Sequence, residues 1–228
     1  IQNGMAKVER YGGSNAALVS IDPKTGEVIT MVGSKDFFNV DIDGNVNVAT
    51  SNRQPGSSFK PYVYATLFKD KEYSPSRIIY DLTTDFGNGY IPRNYDNSTR
   101  GPVTIRQALA NSLNIPAVKA TGLAGIDDVL TTTSDLGIST LTERSRYGLS
   151  LGLGVGEVKL LEHTAGFGVF ANGGNRHETR AITKVIDNKG KTLYEYKSDE
   201  DKGEQVLDPQ IAYEMQSIMS DNNARSLV

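Results

Sequence analysis

The amino-acid sequence predicts an α+β fold in which short antiparallel hairpins flank a block of helices. Residues 15–34 and 180–197 each contain two β-rich runs joined by a turn with Gly, which is the pattern of a β-hairpin. Segments with helical periodicity lie between them, and one more helix is predicted after the second hairpin. This order of elements is typical of α+β proteins.

The composition is that of an ordinary folded protein, and it restricts the chemistry available. A chain of 228 residues is long enough for one large domain or two small ones. The net charge of −3, with Lys and Arg scattered along the chain, argues against nucleic acid as a partner. Since there is no Cys and only two His, any chemistry must use Ser, Lys, Tyr or carboxylates. No apolar run approaches the roughly 20 residues that span a bilayer.

The N-terminal half is predicted to contain a hairpin and a buried helix. The first dozen residues have a short helical pattern that stops at a pair of glycines. Strands are predicted at Ala17–Ile21 and Val28–Val32, around a turn with Pro and Gly. A helix is expected from Ser57 to about Lys71, and it should be buried because it is apolar on every side. Residues 81–101 form a long Asn- and Gly-rich loop, and such loops are usually functional or disordered.

The C-terminal half is predicted to be mainly helical. Helices are expected from a cap at Thr104 to near Asn111, after Pro116 as far as Gly122, within residues 125–138 and within residues 159–174. The second hairpin should turn at residues 188–190. A last helix is expected from Asp208 to about Met219.

Ser57 and Lys60 form the first candidate site. At positions i and i+3 of a helix, two side chains lie on one face about one turn apart. A lysine in the wall of an apolar helix has its pKa lowered by desolvation, and a neutral amine near a hydroxyl can make that hydroxyl a nucleophile. An isolated S-x-x-K pattern equally describes an N-cap serine and a solvated lysine. Here the Gly-Ser start and the apolar helix behind it favour the catalytic interpretation.

Ser112 and Asn114 form the second candidate site. Pro116 is expected to push Ile115 out of the helical region, so that "SLNIP" becomes a break between two helices. In a near-extended break, residues two apart project to the same side. S-x-N alone is a weak signal, and it gains weight only because it follows a Ser-Lys pair.

Together the two motifs resemble the S-x-x-K and S-x-N signatures of penicillin-binding proteins and serine β-lactamases. Longer stretches, "DPKTGEVITMVG", "RQPGSSFKPYVYATLF", "GPVTIRQALANSLNIPAVKATG" and "LGLGVGEVKLLEHTAGFGVFANGG", resemble the transpeptidase domain of class A (bifunctional) penicillin-binding proteins. The resemblance implies an antiparallel sheet packed with a helical block. It runs from about residue 15, so residues 1–14 are expected to be a linker or the domain's N-terminal edge, and residues 15–228 the transpeptidase domain.

The resemblance also implies roles for the four side chains. Ser57 matches the acylated nucleophile and Lys60 its general base; Ser112 matches the hydroxyl that relays a proton, and Asn114 the amide that holds the substrate backbone. The implied activity is a peptidoglycan DD-transpeptidase that acts on D-Ala-D-Ala stem peptides, is acylated by β-lactam antibiotics and needs no metal or organic cofactor. The implied location is the outer face of the bacterial cytoplasmic membrane, reached through an N-terminal anchor outside this sequence, where a glycosyltransferase domain is also expected.

One family motif is missing from its expected place. Lys-Thr/Ser-Gly should follow the last helix on a strand beside the site, and the sequence reaches Val228 without it. The C-terminal sheet strands are therefore expected to be absent from this chain, supplied by a downstream segment or a second chain, and this segment alone is expected to be inactive. Lys24-Thr25-Gly26 precedes the nucleophile and is interpreted as a hairpin turn with an exposed lysine.

Two other functions stay open. One is a DD-carboxypeptidase or β-lactamase-like hydrolase of the same fold. A class A β-lactamase needs a carboxylate that activates water, typically in an E-x-x-L-N context, and the residues after Glu143 and Glu157 do not match it. The other is a non-catalytic module of this fold, against which the intact motifs argue.

The remaining signals have structural interpretations. Residues 148–156 imitate a phosphate loop but lack the following Lys-Ser/Thr, so a tight loop near the active-site mouth is expected. His163 is expected to be packed or hydrogen-bonded rather than a ligand. Tyr90 and Tyr95 could line a peptide groove or form a local hydrophobic clamp.

Overall fold

The predicted α+β architecture is confirmed by a computed structural model that describes residues 1–227, leaving aside the side chains of residues 2, 226 and 227. Its α-helices are Gln2–Val8 (α1), Lys60–Lys71 (α2), Ile105–Ala110 (α3), Asn114–Ala124 (α4), Ile126–Asp135 (α5), Leu160–Ala171 (α6) and Pro209–Met219 (α7). Its strands are Leu18–Ile21 (β1), Val28–Val32 (β2), Asn52–Arg53 (β3), Ile78–Asp81 (β4), Gly101–Thr104 (β5), Val158–Lys159 (β6), Asn175–Arg176 (β7), Lys184–Ile186 (β8), Thr192–Glu195 (β9) and Glu204–Gln205 (β10). Within the described range, no helix is long and apolar enough to cross a membrane.

Helix α2 lies at the centre of the core. Its residues from Lys60 to Phe68 are all buried, as predicted for a helix that is apolar on every side. It packs against α4, α5 and α7, so helices cover it from several directions. Each large apolar side chain buried here stabilises the fold by about 1.5–3 kcal/mol. A side chain placed in the first turn of α2 is therefore held by a rigid element.

The two predicted hairpins are present. Strands β1 and β2 pair antiparallel, with Leu18 opposite Val32, and β8 pairs with β9 in the same manner. The tip of the first hairpin contacts the segment before the second, because Arg180 N donates to Gly26 O and Val28 N donates to Arg180 O. Gly26 has φ +75°, and a Cβ there would lie 2.1 Å from the carbonyl oxygen of Glu178. Glycine is therefore required where these two segments meet.

The break between the two helices that carry the S-x-N motif differs from the prediction. Helix α3 is capped by Thr104 as expected, but α4 begins at Asn114 rather than after Pro116, and it ends at Ala124 rather than Gly122. The expectation was wrong because Pro116 lies in the first turn of α4, where a missing N–H costs no helical hydrogen bond. The chain turns instead at Ser112, which has φ +53°.

Candidate active site

Ser57 lies on a turn that leads directly into the central helix. Residues Gly56–Phe59 form a 3₁₀ helix, and the α-helix begins at Lys60 rather than at Ser57 as the sequence predicted. In a 3₁₀ turn, residues i and i+3 lie almost directly above one another, so Ser57 and Lys60 still share a face. Ser57 is exposed, whereas Phe59 and Lys60 are buried. The hydroxyl is accessible to a substrate while the amine is held inside.

A glycine-containing loop supports this turn from outside. Leu149–Leu153 form another 3₁₀ helix, and the next residue, Gly154, approaches Gly56 closely. Gly56 N donates to Gly154 O at 3.3 Å, and a Cβ on Gly154 would lie 2.1 Å from Gly56 O. The segment interpreted as a tight loop therefore lies against the residue that precedes Ser57, in agreement with its predicted position.

The Lys60 ammonium brings together three of the four residues predicted for the site. Its Nζ donates to Ser112 O at 2.5 Å, to Ser112 Oγ at 3.1 Å and to Asn114 Oδ1 at 2.7 Å. The Lys60 side chain is 0% exposed. Among the described residues, none of its hydrogen bonds goes to Ser57, which lies one turn before it.

The environment of Lys60 raises the fraction of neutral amine, although the ammonium still predominates at pH 7. Burial lowers the pKa of Lys60 from 10.5 to about 8. Its three hydrogen-bond acceptors are neutral, so they satisfy the ammonium without the stabilisation that a carboxylate would add. With a pKa of about 8, roughly one molecule in ten carries the neutral amine at pH 7, several hundred times more than for an ordinary lysine.

Ser112 and Asn114 reach Lys60 through a tight turn, not through an extended break. Ser112 N donates to Leu109 O and Leu113 N donates to Ala108 O, and only three residues separate the end of α3 from the start of α4. Ser112 has a left-handed backbone conformation, and Asn114 is the first residue of α4. The expectation that both side chains face one site agrees with these contacts. The expected extended backbone was wrong, because a left-handed residue reverses the chain more sharply.

His163 is hydrogen-bonded inside the protein, as expected for a packed residue. Its Nε2 lies 2.9 Å from Ser58 Oγ and its Nδ1 lies 3.0 Å from Tyr62 Oη. Burial lowers the pKa of His163 to about 4, so the ring is neutral at physiological pH. The Ser58 hydroxyl is thus engaged with α6, which distinguishes it from the neighbouring Ser57.

Three other side chains of interest lie apart from this cluster. Lys24 is exposed in the turn of the first hairpin, as predicted. Tyr90 packs on Phe86 with ring centroids 6.2 Å apart, which supports a local hydrophobic contact. Tyr95 is fully exposed.

Sequence reasoning missed three contributions from the long loop and its flanking strand. Arg93 O accepts a hydrogen bond from Asn114 Nδ2 at 2.8 Å. Asn94 and Asp81 are buried next to the same segment. A backbone carbonyl leaves no mark in a sequence, and two polar residues so far apart form no recognisable motif.

This arrangement is typical of serine acyltransferases that use a lysine as the base. It combines an accessible serine, a buried lysine of lowered pKa one turn later, and a serine and an asparagine that are hydrogen-bonded to that lysine. The family model described as the penicillin-binding protein transpeptidase domain matches residues 16–226. The chain therefore belongs to the penicillin-binding protein transpeptidase family, and its relatives place it with the class A members, which confirms the resemblance.

Individual relatives agree with this assignment. Penicillin-binding protein 1A of Aquifex aeolicus is 37% identical over 185 residues, which are 78% of this chain and 24% of that protein. Penicillin-binding protein 2D of Bacillus subtilis is 32% identical over 207 residues, which are 88% of this chain and 28% of that protein. The crystal structure of penicillin-binding protein 1A from Haemophilus influenzae matches with a TM-score of 0.76 and 27% identity, over 92% of this chain and 35% of that one. The chain spans about a quarter of the length of these curated relatives.

Proposed function

We propose that this chain is the catalytic domain of a peptidoglycan DD-transpeptidase that works through an ester on Ser57. The observation that carries the proposal is the buried Lys60 amine, with a pKa of about 8, one turn after an exposed serine. Family membership supports stem peptides ending in D-Ala-D-Ala as substrates and β-lactam antibiotics as inhibitors. The same relationship supports a location at the outer face of the bacterial cytoplasmic membrane.

In the acylation step, neutral Lys60 accepts the proton of the Ser57 hydroxyl, and Ser57 Oγ attacks the carbonyl carbon of the penultimate D-Ala. Loss of a proton leaves the amine with two N–H donors and a lone pair. Lys60 can then keep two hydrogen bonds to Ser112 and Asn114 while its lone pair accepts from Ser57. The oxyanion that forms is stabilised by the Ser57 N–H, because donors at a helix start lack intrahelical partners.

The intermediate breaks down when the terminal D-Ala leaves. The Ser112 hydroxyl donates its proton to the departing amine and is reprotonated by Lys60, while the C–N bond breaks. Asn114 Nδ2 has two N–H groups, of which one is bound to Arg93 O, so the other is available for a backbone carbonyl of the stem peptide. An amine from a neighbouring stem then attacks the ester, forms the new amide bond and returns a proton to Ser57.

The proposal assigns residues 15–228 to the transpeptidase domain and residues 1–14 to its N-terminal edge. The family match over residues 16–226 supports these limits. Lys24-Thr25-Gly26 forms a hairpin turn, so the proposal does not use it as the Lys-Thr/Ser-Gly motif that holds the substrate carboxylate.

Labelling with a fluorescent penicillin tests the nucleophile in the complete natural protein. The parent should gain one covalent adduct on a peptide that contains Ser57, and Ser57→Ala should abolish it. Ser58→Ala is the matched control, because the Ser58 hydroxyl bonds to Pro55 O and the His163 ring. It should retain the adduct. Labelling that survives Ser57→Ala would remove the assignment.

The fate of the acyl-enzyme separates the transpeptidase from its alternatives. With a D-Ala-D-Ala stem peptide and an amine acceptor, a transpeptidase yields a cross-linked product, whereas a carboxypeptidase yields mainly the hydrolysed peptide. Rapid turnover of a chromogenic β-lactam would indicate a β-lactamase. Absence of any adduct on the folded, complete protein would indicate a non-catalytic module.

A further inference from the structure

The start of helix α4 is capped by a residue from a distant loop. The residue before the helix, Leu113, offers no side-chain acceptor, although the first N–H groups of a helix need partners. Asn94 Oδ1 accepts from Asn114 N at 2.8 Å and from Ile115 N at 3.3 Å. The loop between β4 and β5 therefore provides the cap that the local sequence lacks.

Asp81, at the end of β4, determines which way the Asn94 amide faces. Asn94 Nδ2 donates to both carboxylate oxygens of Asp81, at 2.8 and 2.9 Å, and to Ser98 O at 2.9 Å. Asp81 is 0% exposed and Asn94 is 4% exposed. A carboxylate can only accept hydrogen bonds, so it holds the NH₂ group and leaves the Asn94 oxygen towards α4. Arg100 N also donates to Asp81 Oδ2 at 2.9 Å, which fixes the carboxylate.

The same loop orients the Asn114 side chain. Arg93 O accepts from Asn114 Nδ2, and this contact turns Asn114 Oδ1 towards the Lys60 ammonium at 2.7 Å. Asn94 holds the Asn114 backbone while Arg93 holds its side chain. A small shift of the α4 start would move Asn114 Oδ1 away from Lys60.

We propose that Asp81 and Asn94 form a positioning pair that sets the first turn of α4, and through it Asn114, against Lys60. Neither residue touches the reacting atoms. The pair acts only through Asn114. This inference rests on the proposed function, because acylation of Ser57 is the activity that is measured.

Asn94→Asp tests the pair with little change of shape. The variant keeps an oxygen for α4 but turns a second carboxylate towards Asp81. Repulsion between the two carboxylates should displace that oxygen from α4, so acylation by a fluorescent penicillin at neutral pH should slow by roughly tenfold, the rate equivalent of losing the cap. The other charged groups that face Asp81 are the Arg100 guanidinium, with Nη1 4.0 Å from Oδ2, and the Lys119 ammonium on α4. As pH falls, the two adjacent carboxylates bind a shared proton, which restores a donor between them. The ratio of the variant rate to the parent rate should therefore rise as pH is lowered.

Exchange of the two residues provides a rescue. In the double variant Asp81→Asn with Asn94→Asp, the amide lies on β4 and donates to the carboxylate on the loop, which still accepts from α4. Acylation at neutral pH should return close to the parent rate. Asn88→Asp is the matched control: Asn88 is an exposed residue of the same loop, so the variant adds the same charge and should leave the rate unchanged.

Hydrogen exchange of the peptide covering residues 112–118 measures the cap without any activity. Exchange should be faster in Asn94→Asp than in the parent and should slow again in the double variant. If the parent forms no penicillin adduct, the proposed function fails while exchange still tests the pair. The inference would be overturned if Asn94→Asp showed the acylation rate and the hydrogen exchange of the parent. It would also be overturned if the double variant were acylated as slowly as Asn94→Asp.

Discussion

Replacement of Lys60 by arginine distinguishes two roles of this residue, a general base and a fixed positive charge. At pH 7.5, a pKa of about 8 leaves about a quarter of Lys60 side chains neutral. An arginine with a pKa above about 12 is neutral in fewer than about one molecule in 10⁴, yet it can still donate to the acceptors around it. Because loss of a general base typically costs about 10²–10⁴-fold, acylation of Lys60→Arg should fall by that factor.

The assay is the rate of covalent labelling by a fluorescent penicillin, followed in quenched time points at several pH values. Thermal melting of each variant confirms that it is folded. Lys69→Arg is the matched control, because Lys69 lies on the same helix and makes a partly exposed ion pair with Asp135 at 3.2 Å. It should label at the parent rate. If folded Lys60→Arg labels within about tenfold of the parent, Lys60 acts only as a nearby charge and the base assignment is wrong.

Three further predictions concern pH, backbone contact and stability. The acylation rate of the parent should rise about tenfold per pH unit below pH 8 and level off above it, because only neutral Lys60 accepts a proton; a flat profile would contradict this. Gly154→Ala, with a Cβ 2.1 Å from Gly56 O, should lower both the melting temperature and the acylation rate, whereas Gly148→Ala, which meets nothing within 4 Å, should change neither. Hydrogen bonds to the Asp201 carboxylate, above all the one from Gly203 N, hold the pKa of Asp201 well below its ordinary 3.8. The stabilisation that the ionised Asp201 gives the folded state is therefore present above pH 3.8 and is lost as pH falls further. Asp201→Ala should therefore melt lower than the parent near pH 7, and the gap should shrink in acid; a gap independent of pH would refute the linkage.

Elements with a strong local pattern were predicted from the sequence. The apolar run after Ser57 has no polar face, so a buried helix was the interpretation its pattern favoured, and α2 is buried throughout its first nine residues. Thr104 with Gln107 three residues later forms the capping box that starts α3. These signals act over one or two turns, so the residues that specify the structure are neighbours in the chain.

For the candidate site, the sequence predicted which side chains take part, but not the backbone conformation that brings them together. Ser57 and Lys60 share a face because of spacing alone, although the turn between them is 3₁₀ rather than α. The start of α4 was misplaced, since Pro116 is compatible with a first helical turn as well as with a break. Local rules allowed both conformations of this segment, and the choice was made by contacts from outside it.

The sequence by itself therefore determined the family, the hairpins, the buried central helix and the identity of four candidate side chains. Only the tertiary structure decided that Lys60 bonds to Ser112 and Asn114 and not to Ser57, and that its pKa falls to about 8. It alone also decided that α4 is capped by Asn94, 20 residues upstream. The physical reason is that burial and hydrogen-bond partners depend on which segments pack together, and segments far apart in the chain leave no periodic signal in it.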